Sequence, residues 1–82
     1  MPKTDTLYRT SDLYFASYLC ALDIPLATSE SDANDSRKVI FVFKMPGEDL
    51  GRLKASYFGG TGTVHARKFV DSLRSLKSLT HV

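Results

Sequence analysis

Hydrophobic and polar positions along the chain fall into blocks with distinct periods, and the sharpest is Val39-Ile-Phe-Val-Phe43, fenced by Arg37-Lys38 and Lys44. Five consecutive β-branched or aromatic residues predict a strand covered on both faces. Alternation puts Val39, Phe41 and Phe43 on one face and Ile40 and Val42 on the other. Upstream, Ile24–Glu30 alternates more weakly, and Pro25 cannot donate to a ladder, which predicts an edge strand. Ser31–Ser36 is dense in turn formers and too polar to bury. The two strands are therefore expected to form an antiparallel hairpin, the second strand running Arg37–Lys44.

Helical periods flank this hairpin. Asp12–Leu22 places Phe15, Ala16, Leu19, Cys20 and Leu22 on one face, with Tyr14, Ser17 and Ala21 opposite. Thr10 or Ser11 suits its N-cap, and Asp12 suits the positive end of its dipole. After Pro46-Gly47, Leu50, Leu53, Tyr57 and Phe58 recur at helical spacing until Gly59-Gly60 supplies a left-handed stop. Gly51 costs this helix about 1 kcal/mol relative to alanine, so it depends on tertiary packing. Thr61–Val64 reads as a turn or a very short strand. His65–Thr80 is the clearest helix, with Ala66, Phe69, Val70, Leu73, Leu76 and Leu79 on its apolar face.

These elements predict a small two-layer α+β domain over residues 10–82, preceded by a polar N-terminal arm over residues 1–9. The expected order is helix, strand, strand, helix, short strand, helix, with the hairpin packed against the helices.

Composition narrows the class. With 82 residues, 43% hydrophobic and 24% charged, the chain is an ordinary globular domain rather than a disordered one. Domains of this size bury only about 60% of their unfolded surface, which favours self-association or a partner. Cys20 is the single cysteine, so neither an internal disulfide nor a multi-cysteine metal centre is expected. The polar opening Met-Pro-Lys-Thr-Asp lacks the apolar core of a signal peptide, and no run reaches the roughly 20 apolar residues that span a bilayer. A cytoplasmic protein is expected. The net charge of +2 conceals an imbalance: Met1–Ser36 carries two cations against six carboxylates, Arg37–Val82 nine against three.

Three segments resemble a small domain family of bacteria, phages and mobile elements whose function is undefined. They are Thr10-Ser-Asp-Leu-Tyr-Phe-Ala-Ser-Tyr-Leu19, Arg37-Lys-Val-Ile-Phe-Val-Phe43 and Ala66-Arg-Lys-Phe-Val-Asp-Ser-Leu-Arg-Ser-Leu-Lys77. Where that family shows an acidic residue before the last helix, this chain has His65. The resemblance supplies no substrate and no site residue. Its association with mobile elements implies a role near nucleic acid.

Two surfaces are candidates. Arg67, Lys68, Arg74 and Lys77 of the final helix, joined by Arg37 and Lys38, would track phosphates without reading bases, since Asp71, Ser75 and Ser78 are its other exposed groups. The same cations also read as a solvated helix face around Asp71, and a sequence pI of ≈ 8.8 is modest for a nucleic-acid binder. Tyr14, Tyr18, Tyr57 and Phe58 are the alternative, an aromatic protein interface. Gly59–Thr63 precedes a helix start but lacks the Lys-Ser/Thr of a phosphate loop and reads as a helix stop and turn. Cys20, His65 and His81 are too few and too scattered for a metal centre. No nucleophile elbow, Cys–His pair or carboxylate pair is legible, so neither an enzyme nor a cofactor is expected. The sequence thus leaves two functions open: a non-catalytic accessory protein of a bacterial or phage element that binds nucleic acid, or a protein-interaction module, either a homodimer or a small adaptor or inhibitor on a larger complex.

Overall fold

The computed structural model describes residues 5–35 and 38–80. It is an α+β domain of three helices and one three-stranded antiparallel sheet. The elements run β1 (Asp5–Thr10), α1 (Leu13–Ala21), β2 (Leu26–Ser31), β3 (Val39–Pro46), α2 (Gly47–Phe58) and α3 (Ala66–Ser78). In the sheet the order is β1-β3-β2, so the apolar strand is central and both neighbours are edges. Two elements differ from the sequence reading. Asp5–Arg9, expected as a polar arm, belongs to a strand paired with β3 along its whole length, from Asp5↔Pro46 to Thr10↔Phe41. Thr61–Val64 forms no strand, and Arg37, expected to open the central strand, lies outside the described residues.

β3 has two different covers, as its composition demands. Phe41, Phe43 and Met45 face the helices and form one cluster with Phe15, Ala16, Tyr18 and Leu19 of α1 and Leu76 of α3. Tyr8 of β1 and Leu26 of β2 flank them on that face, opposite Phe43 in the two registers. Val42 points the other way and is nevertheless buried. Its ladder partners are Arg9 and Thr28, and Arg9 Nε reaches across β3 to Glu30 Oε1 at 3.1 Å. The aliphatic stems of that pair roof the valine while their charges stay in water.

α1 is the helix around which the others pack. Asp12 caps it, its Oδ1 accepting from Phe15 N–H at 3.0 Å, while Thr10 Oγ1 accepts from Asp12 N–H. The cap therefore falls on Asp12, not on Thr10 or Ser11. Ser17 and Ala21, expected on the solvent side, are buried, because α3 packs along α1 there. Small side chains let the second helix approach, and Ser17 Oγ satisfies itself by donating to Leu13 C=O at 2.8 Å.

Both α1 and α2 stop in the same way. Ile24 N–H donates to Leu19 C=O and Asp23 N–H to Cys20 C=O, with Asp23 at φ 68°. Thr61 N–H donates to Ser56 C=O and Gly60 N–H to Tyr57 C=O, with Gly60 at φ 79°. These are paired bonds of the Schellman type around a left-handed residue. Gly62 has a different reason to be glycine: a Cβ there would collide with the Tyr18 hydroxyl. The Gly59–Thr63 loop is thus a helix stop and a seat for a buried ring. Among the described residues no helix is long and apolar enough to cross a membrane.

Candidate protein-interaction surface

Three of the four aromatic residues singled out from the sequence, Tyr18, Tyr57 and Phe58, converge around Phe15. Its fully buried ring touches Tyr8 edge-on at 5.9 Å between centroids, Tyr18 at 6.2 Å, Tyr57 at 5.2 Å and Phe58 at 5.5 Å. Tyr57 in turn meets Tyr18 at 5.1 Å and Phe58 at 4.9 Å. Two elements build this arrangement. The cap at Asp12 sets the start of α1, and the adjacent positions Tyr57 and Phe58 end α2 just before its glycine stop.

Exposure divides the four candidates. Tyr18 is only 5% exposed and belongs to the core. Tyr14 is 57% and Phe58 65% exposed, and Tyr57 is half-buried between them and the core. Burial pushes the Tyr57 hydroxyl above the usual tyrosine range, with further contributions from the negative charge of Asp12 and from Tyr14. Asp12, Tyr14 and Tyr57 therefore share one electrostatic neighbourhood. The surface is rings with polar tips, resting on a buried aromatic floor. Such rings lose little conformational freedom on binding and are the side chains that anchor protein interfaces.

The cations of α3 are arranged differently. Lys68 turns away from the others and holds Asp23, Nζ lying 3.3 Å from each carboxylate oxygen. Arg67 Nε lies 3.5 Å from Asp71 Oδ1 on the same helix. Among the described residues, Arg74 and Lys77 have no ion-pair partner. At helical spacing Arg67, Asp71 and Arg74 share the outward face, so a carboxylate sits inside the cationic stripe. Lys38 belongs to the sheet end, where its C=O accepts from Asp32 N–H and its N–H donates to Asp35 C=O. Arg37 lies outside the described residues.

The other polar candidates have local roles. His65 is the N-cap of α3, its Nδ1 accepting from Lys68 N–H at 3.4 Å, where an acidic residue would do the same work. Cys20 is half-buried against the core, and burial pushes its thiol up. His81 lies outside the described residues. Among the described residues no group of three or more His, Cys, Asp and Glu could hold a metal ion. An open depression of about 480 Å³ lies between the ends of β1 and β2 above Ile40. Its charges are already committed: Arg9 to Glu30, and Asp32 Oδ1 to Asn34 N–H at 2.8 Å.

Sequence reasoning missed Phe15 as the organiser of the aromatic surface and grouped Tyr18 with the exposed rings. The available signal was position: Tyr18 lies three residues from Phe15 and one from Leu19, inside the apolar arc. The chain matches no protein-family model, no curated protein and no solved structure. The resemblance noted above therefore stands on its three segments alone.

Proposed function

We propose that the protein is a non-catalytic interaction module that docks on a larger protein through Tyr14, Tyr57 and Phe58. The observation that carries this reading is the pair of touching rings Tyr57 and Phe58 above Phe15, with Phe58 solvent-facing and the exposed Tyr14 in the same electrostatic neighbourhood. Phe58 in particular is left mostly in water although burying such a ring contributes about 1.5–3 kcal/mol. The module would act in the cytoplasm as an accessory of a bacterial or phage genetic element, a setting supported by the three resembling segments.

A second reading rests on Arg74 and Lys77, which lack partners among the described residues and face solvent. It makes the protein a non-specific nucleic-acid binder through α3, and exposed pairs such as Arg67–Asp71 are weak enough for phosphate to displace.

One paired experiment separates the two. A photo-crosslinking amino acid is placed at position 58 and, as a control, at Ser75 on the outer face of α3. Each protein is irradiated in host lysate and also passed over single- and double-stranded DNA and RNA at ~50 mM salt, where phosphate contacts are strongest. The interaction module predicts a discrete protein adduct at position 58, absent at position 75 and lost in Tyr14→Glu, with no retention on nucleic acid. Salt-dependent retention that disappears in Arg74→Ser and Lys77→Ser, with no adduct at position 58, overturns it in favour of the second reading.

A further inference from the structure

The free edge of β1 is complementary to itself. Asp32 N–H donates to Lys38 C=O at 3.1 Å, which sets the phase of the β2–β3 ladder. Even-numbered residues of β3 direct their backbone groups toward β2, and Phe41, Phe43 and Met45 direct theirs toward β1. Their partners in β1 are Thr10, Tyr8 and Thr6, and the Thr6 hydroxyl adds a bond to Met45 C=O at 3.2 Å. The N–H and C=O groups of Asp5, Leu7 and Arg9 therefore point away from the sheet. Among the described residues nothing pairs with them. The strand has no proline and no bulge, the devices that blunt an edge. Leu7, at its centre, is 59% exposed.

We propose that β1 pairs antiparallel with β1 of a second copy, about a two-fold axis through Leu7, joining the two three-stranded sheets into one. Antiparallel partners share a face, so residues must meet with matching parity. Centring on Leu7 places Leu7 against the partner's Leu7, Asp5 against the partner's Arg9 and Arg9 against the partner's Asp5. Each of these pairs is of the hydrogen-bonded kind, because all three residues have outward backbone groups. Opposite charges meet twice, and the exposed leucines cover each other. In the dimer Arg9 turns from Glu30, with which it forms an exposed and therefore weak pair, to the partner's Asp5.

The other edge offers nothing comparable. β2 follows Pro25, carries an irregularity between Leu26 and Thr28, and presents Ser29 and Ser31 outward. Self-pairing there would match serine with serine. The β1 pairing is independent of the aromatic surface, which lies on α1 and α2. Failure of either reading leaves the other standing. If both hold, the assembly carries two docking surfaces.

Charge reversal provides the test, because each variant alone repels itself while the two together attract. In a dimer of Asp5→Lys, the introduced ammonium would face the partner's Arg9. In a dimer of Arg9→Glu, the introduced carboxylate would face the partner's Asp5. Mixed, the two variants match at every position. Sedimentation velocity from ~5 to ~500 µM is expected to show a wild-type dimer, each variant weakened about ten- to a hundredfold, and the dimer restored in an equimolar mixture. Restoration shows that both variants are folded. Leu7→Pro removes an outward N–H without touching the ladder to β3, and is expected to be monomeric with unchanged circular dichroism. A monomeric wild type, a variant that dimerises as the wild type does, or a mixture that fails to associate overturns the proposal.

Discussion

Replacing Phe15 is the most demanding test of how this domain is built. The ring is fully buried and touches four others, so Phe15→Ala removes the floor of the aromatic surface together with the centre of the core. Phenylalanine-to-alanine changes in cores cost about 3–5 kcal/mol. Ring pairs contribute about 0.5–1.5 kcal/mol beyond their buried area, and four converge here, which places this site at the upper end, near 5 kcal/mol. At roughly 0.05–0.15 kcal/mol per residue the whole domain has about 4–12 kcal/mol of stability. Phe15→Ala is therefore expected to remove from about two-fifths to all of the domain's stability. Phe15→Leu keeps most of the volume and loses the ring contacts, at a cost of about 1–2 kcal/mol. Urea titration followed by circular dichroism reads both. With a slope of about 1–2 kcal/mol/M for a domain this small, the leucine variant should unfold about 1 M earlier. An alanine variant within about 1 kcal/mol of wild type would refute the placement of Phe15 at the centre.

Two further outcomes follow from local geometry. Asp23 holds the left-handed position that ends α1 and also accepts the Lys68 ammonium at an exposed site. Asp23→Gly should match or exceed wild-type stability and Asp23→Ala should fall about 1 kcal/mol below Asp23→Gly in thermal melts, since backbone strain outweighs an exposed ion pair. Tyr57 resists ionisation in the folded state, so the folded protein binds its proton more tightly than the unfolded chain does. Stability should rise relative to a chain lacking this group as pH climbs past about 10, the ordinary tyrosine value, only if the unfolded chain kept the proton longer; it does not, so stability falls there, and Tyr57→Phe should flatten that fall. An unchanged alkaline slope in the variant would assign the loss to another group.

The parts of this fold that were legible in the sequence are those where one physical requirement dominates. Val39–Phe43 is a strand because nothing else suits five consecutive β-branched and aromatic residues. The final helix shows its period because its outer face meets only water. β1 was illegible because its apolar residues, Leu7 and Tyr8, are adjacent and serve opposite faces, which erases the alternation. Ser17 and Ala21 looked like solvent positions, yet small size there serves helix contact rather than exposure. The cationic stripe was legible residue by residue, but its partners were not. Lys68 turns to Asp23, which is distant in sequence, and no local pattern announces that contact.

The order in which the strands occur along the chain has a consequence for how the sheet assembles. β2 and β3 close across the short turn around Asp32 and Lys38, a local event on the timescale of hairpin formation, about 1–10 µs. β1 is the first strand made but can take its place only after β3 is made. It must wait until α1, β2 and β3 have all left the ribosome before Phe41, Phe43 and Met45 present their free side to it. During synthesis the β1-facing side of the central strand is therefore a vacancy that any extended segment can enter, including β1 of a neighbouring nascent chain. Crowded polysomes would then favour exchanged strands over closed monomers, and slow elongation through α2 would favour correct closure by giving the chain's own first strand more time to arrive.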